Sequence, residues 1–76
     1  MFQNNDKFVQ LGLNVAYYRK LKGLTQEQLA EIVDISRTHI SNIEAPGMNK
    51  SFSLDLLFNI ANALNVPINK FFEFRD

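Results

Sequence analysis

Leu24-Thr25-Gln26-Glu27-Gln28-Leu29-Ala30-Glu31-Ile32-Val33-Asp34-Ile35-Ser36-Arg37-Thr38-His39-Ile40-Ser41-Asn42-Ile43-Glu44 is the stretch on which the fold turns. It reads as two short helices joined by a tight turn. Thr25 is placed to cap the first, and Gln28, three residues on, completes a capping box. Leu29, Ile32 and Val33 give that helix an inner stripe, and Ala30 is small enough for a close helix crossing. Asp34 ends it, at a position where the left-handed conformation is needed and Asp tolerates it better than most residues. Ser36 caps the next helix, which runs to about Glu44. Pro46, within Ala45-Pro46-Gly47, then forbids continuation. This second helix is apolar only at Ile40 and Ile43. Its other side carries Arg37, Thr38, Ser41 and Asn42, side chains that hydrogen-bond to base edges and phosphates. A helix held up by a neighbour and polar on its free side is what the major groove of DNA accepts.

The flanking sequence supplies the support. Residues 1–6 form a short arm, with Asp6 a candidate cap for a first helix from about Lys7 to Leu21. Phe8, Leu11, Val15 and Tyr18 recur at helical spacing. Lys20 and Lys22 favour the negative end of the helix, and Gly23 is a natural left-handed stop. Downstream, Ser53 caps a fourth helix carrying Leu54, Leu57, Phe58, Ile60, Ala61 and Leu64, a spread wide enough for a mostly buried helix. Asn65 offers a left-handed stop, and Pro67 opens a short fifth helix from Ile68 to about Phe72. No strand pattern or repeat is present. The expectation is one compact all-α domain of five helices, its core over residues 8–72, with an aromatic tail over residues 68–76.

With 76 residues there is room for one small core. The absence of cysteine excludes disulfides, thiolate metal sites and a cysteine nucleophile. His39 is the sole histidine and has no ligand or nucleophile partners at a suitable spacing, so neither a metal, a cofactor, a small-molecule ligand nor an enzymatic site is expected. The N-terminus does not read as a signal peptide and no window is apolar enough to span a bilayer, which points to a cytoplasmic protein. Zero net charge argues mildly against a nucleic-acid partner. The distribution offsets this: Arg37, His39 and Lys50 face only Glu44 between Ser36 and Ser51. Base contacts rather than bulk charge should therefore carry specificity.

These segments together, Leu24 to Ala30, Ile35 to Glu44 and Leu54 to Leu64, resemble the Cro/CI-type helix-turn-helix domain of the XRE family, lambda-repressor-like, from about Gly12 to Phe72. The resemblance implies a five-helix domain that binds operator DNA as a homodimer and regulates transcription, read here as repression. It implies a phosphate contact for Gln26 and base-edge contacts for Arg37, Thr38 and Asn42. Ser36, His39 and Ser41 flank these against phosphate or base, and Asn49 and Lys50 grip the backbone further along. Arg19 and Glu44 match a pair that forms an internal salt bridge in related repressors. Two departures stand out: Asp34 replaces a frequent glycine, and the loop after Glu44 is longer than the commonest form.

Ile68, Phe71, Phe72 and Phe74 exceed what one small core should absorb, so part of this tail is a candidate dimer interface. A two-fold dimer through it would space two recognition helices about 34 Å apart, one turn of DNA. A hydrophobic lid on a monomer is the plain alternative for the tail. The rival for the whole chain is an antitoxin-like interaction module whose aromatic C-terminus binds a partner protein.

Overall fold

A computed structural model of the chain describes residues 5–47 and 51–74. Within them lie four α-helices, α1 (Asn5–Leu21), α2 (Gln26–Val33), α3 (Arg37–Glu44) and α4 (Leu54–Leu64), followed by a 3-10 segment, Ile68–Phe72. The all-helical expectation holds, but with four α-helices rather than five. Pro67 and the end at Glu73 leave room for only five residues, and the Lys70 amide bonds back to the Pro67 carbonyl at 3.0 Å, closing the tighter turn.

Local chemistry sets most boundaries. α1 starts at Asn5, so Asp6 sits inside the first turn instead of capping it, where its carboxylate meets the positive end of the helix. Thr25 accepts from the Gln28 amide at 3.0 Å while the Gln28 side chain accepts from the Thr25 amide at 2.8 Å, the reciprocal capping box. Ser36 and Ser53 cap α3 and α4 in the same manner, accepting from the amides of His39 and Leu56. Gly23, Asp34 and Asn65 all take positive φ, turning the chain out of α1, α2 and α4. Ala45 is extended ahead of Pro46, as the proline ring requires.

Val15, Leu29, Ile40, Leu57, Ile60, Leu64 and Phe71 form the centre of the core. Three apolar positions fall elsewhere than the sequence suggests. Ile32 is 56% exposed: at about 100° per residue, the inner face of α2 centres on Leu29, Ala30 and Val33, and Ile32 points well to one side. Leu54 and Phe58 are also exposed, one at the open first turn of α4 and the other on its flank. The tail divides as well. Phe71, expected at an interface, is fully buried and packs against Tyr18, with ring centres 5.3 Å apart. Ile68 is half-buried, and only Phe72 and Phe74 of the four face outward.

Two residues of α1 fix its place. Gly12 faces the end of α3, and a β-carbon there would run into the carbonyl oxygen of Ile43. Asn14 is buried, and its amide nitrogen donates to the carbonyls of Phe71 at 2.8 Å and Glu73 at 3.2 Å, tying the C-terminal segment to α1. Neither helix backbone can retreat cheaply from the Gly12 contact. We expect Gly12→Ala to destabilise the fold by at least the ~1–3 kcal/mol of ordinary overpacking. Thermal unfolding checks this, and an unchanged melting temperature would show that the helices do not meet here.

Candidate nucleic-acid interface

Two buried isoleucines attach α3 to the core. Ile40 and Ile43 face inward, leaving Ser36, Arg37, Thr38 and His39 exposed, with Ser41 and Asn42 half-buried. Two shallow clefts flank the helix. One is lined by Ser36, Thr38, His39, Asn42, Ile43 and Ser51. The other is lined by Arg19, Thr25, Gln26, Glu27, Gln28 and Arg37, at the amino-terminal end of α2. The residues singled out in the sequence thus separate into two sides: Arg37 joins Gln26, while Thr38, His39 and Asn42 gather opposite. Ser41 lines neither cleft. Ser36 is shared between roles, since its oxygen accepts the His39 amide while its hydroxyl proton stays available to a ligand. Asn49 and Lys50 lie outside the described residues. Ser51, which the sequence reading passed over, belongs to the first cleft; its only signal was a short polar side chain in the loop leading back to α4.

Beneath the second cleft runs a buried polar network. Arg19 donates from Nε to Glu44 Oε2 at 2.7 Å and from Nη2 to Glu44 Oε1 at 3.0 Å, a two-pronged ion pair between α1 and the end of α3. Its Nη1 donates to the Leu24 carbonyl at 2.7 Å in the turn before α2. Gln26 Nε2 donates to Glu44 Oε1 at 3.0 Å, bringing α2 into the same network. Both charged side chains are buried, so the Glu44 carboxylate is neutralised from within the protein. Of the charged groups left at the cleft surface, Arg37 and Glu27 are both exposed.

The arrangement can therefore present hydrogen-bond donors and a cation along one side of a rigid helix, with the amino-terminal amides of α2 close by. Those are the features that meet base edges and backbone phosphates. A helix-turn-helix family model matches residues 15–71, from the middle of α1 through the buried Phe71. The chain belongs to the helix-turn-helix family. Relatives fit the Cro/CI-type character expected from the sequence. The chain is 42% identical to the control protein C.SmaI of Serratia marcescens over 79% of its own length and 69% of that protein's. It is 34% identical to a competence pilus inhibition repressor of Acinetobacter baylyi over 84% of its own length, but spans only 56% of that repressor. The fold is similar to the crystal structure of the restriction-modification controller protein C.AhdI from Aeromonas hydrophila, with a TM-score of 0.79 at 27% identity, covering 88% of this chain and 98% of that one.

This helix-turn-helix domain is a DNA-binding transcriptional regulator and not an enzyme. Among the described residues no helix is long and apolar enough to cross a membrane. The ion pair beneath its surface yields a stability prediction. Removing one partner of a buried pair strands the other charge, at a cost of about 3–5 kcal/mol. At roughly 4 °C or more per kcal/mol for a domain of this size, Glu44→Ala should lower the melting temperature by at least about 12 °C. A melting curve that does not move would show the pair to be dispensable.

Proposed function

We propose that this domain acts in the cytoplasm as a homodimer that occupies a palindromic operator and represses by blocking access to it. The observation that carries the reading is the division of α3: Ile40 and Ile43 are buried while the side from Arg37 to Asn42 stays open. That side enters the major groove. Arg37 suits guanine through O6 and N7, Asn42 suits adenine, and Thr38 reaches a neighbouring base edge. Ser36, His39 and Ser41 make flanking contacts to phosphate or base. Gln26 contacts a phosphate at the amino-terminal end of α2, and Asn49 and Lys50 grip the backbone beyond α3. The likeness to two controller proteins and a repressor supports a role at promoters.

Selection from a random DNA pool tests the groove assignment. Wild type should return a palindrome with two half-sites, and Arg37→Ala should lose preference at one base pair per half-site, a change of about 1–3 kcal/mol at that position. An unaltered sequence preference would remove Arg37 from base reading.

The dimer rests on the exposed rings of Phe72 and Phe74, in a tail that also holds half-buried Ile68 and buried Phe71. Two copies joined through this end would set their α3 helices about 34 Å apart, matching successive major-groove faces. Sedimentation should show a dimer at micromolar concentration for wild type and dissociation for Phe74→Ala. A monomeric wild type would sink the dimer. Recovery of a stoichiometric partner with no operator shift would instead favour the interaction module, with the same two aromatics as the partner's seat.

A further inference from the structure

We infer that Glu44 is a positioning residue for DNA contact, acting through Gln26. The inference rests on the reading above that Gln26 meets a phosphate. Gln26 is the first residue of α2 and half-buried, and its long side chain could otherwise take many rotamers. One amide hydrogen of Nε2 is committed to Glu44 Oε1 at 3.0 Å. Nε2 carries two N–H donors, so holding one on Glu44 narrows the directions in which the second can point. Gln26 lines the cleft shared with Arg37 at the amino-terminal end of α2, the place a backbone phosphate would occupy. The acceptor does not wander either, because Arg19 holds both Glu44 oxygens, at 2.7 and 3.0 Å. The rotamer entropy of Gln26 is spent on folding instead of on binding, which is how preorganisation raises affinity. The α1–α3 ion pair is thus continuous with the DNA surface, and the Arg19-Glu44-Gln26 chain links all three helices of the reading head.

Charge and positioning make opposite predictions for Glu44→Gln. Removing a carboxylate near a phosphate path strengthens DNA binding on Coulombic grounds alone. Loss of the firm acceptor for Gln26 weakens it. The test is a double-mutant cycle with the operator obtained by selection, measuring affinity across a salt series for wild type, Gln26→Ala, Glu44→Gln and the double variant, with melting curves confirming that each is folded at the assay temperature. In wild type, Gln26→Ala should weaken binding by about tenfold, the scale of one hydrogen bond to a charged group. Its salt slope should stay unchanged, because a neutral donor releases no counterion. In the Glu44→Gln background the same change should cost less than about twofold, with Glu44→Gln itself weaker than wild type.

An equal loss in both backgrounds, or tighter binding by Glu44→Gln, overturns the positioning role while leaving the phosphate contact standing. No loss from Gln26→Ala in wild type overturns both. Should Glu44→Gln fail to fold, Glu44→Asp keeps a carboxylate for Arg19 but draws it one methylene back from Gln26. A smaller loss from Gln26→Ala in that background than in wild type supports the role, and an equal loss overturns it.

Discussion

The close approach of α1 to the end of α3 is the constraint from which the reading surface follows. Gly12 lets the two backbones touch at Ile43, and two turns further along α1 the Arg19 guanidinium closes on Glu44. Between these points the end of α3 has little freedom to roll or slide. Its outer side is set by what the inner side is attached to. Ile40 and Ile43 alone would bury almost as well in a helix rotated by a few tens of degrees, since hydrophobic contact is not directional. The two-pronged ion pair and the glycine contact are directional, and they choose among the rotations. A groove-reading helix needs such a choice, because a base edge is recognised only when the donor arrives at the right place.

Why such a domain buries charges at all follows from the same need. An ion pair withdrawn from water returns little net stability, and well-packed apolar side chains of similar volume often do as well or better. Here the pair also satisfies the Leu24 carbonyl and the Gln26 side chain, so every prong of Arg19 has an acceptor and Glu44 receives three donors. No buried side-chain nitrogen or oxygen among the described residues lacks a partner. The network's value lies in geometry: one core position organises α1, the turn before α2, the start of α2 and the close of α3. It also bears on the charge of α3. Glu44, on α3 itself, is held by Arg19, so its charge is met inside the protein.

Helix ends were legible in the sequence because their causes are local. Thr25 with Gln28, Ser36 and Ser53 cap through their side chains, and Gly23, Asp34 and Asn65 take the left-handed turn, each within a few residues of itself. The polar side of α3 was legible for the same reason, since its two isoleucines leave one face for everything else. What depends on docking was harder to read. Ile32, Phe58 and Phe71 are equally apolar on paper, and only the placement of α2, α4 and the tail exposes the first two and buries the third. Gly12 gives no sign of its role without the carbonyl it faces, and the partner of Gln26 lies eighteen residues away. Asn14 could have been found: it falls on the stripe of Leu11, Val15 and Tyr18, where a polar side chain must have buried partners.

Asn14 also explains how so short a tail is kept in place. A five-residue 3-10 segment has few hydrogen bonds of its own and little reason to persist in isolation. Phe71 supplies the apolar anchor, inserted beside Tyr18, but a single ring fixes position better than direction. The amide of Asn14 supplies direction by taking two carbonyls of the segment, at Phe71 and Glu73, on either side of Phe72. With the backbone held at both points, the rings of Phe72 and Phe74 are presented outward from a defined path. α1 therefore orients both ends of the molecule, α3 through Gly12 and Arg19 and the aromatic tail through Asn14. Any partner seated on the tail is thereby held in fixed register with α3.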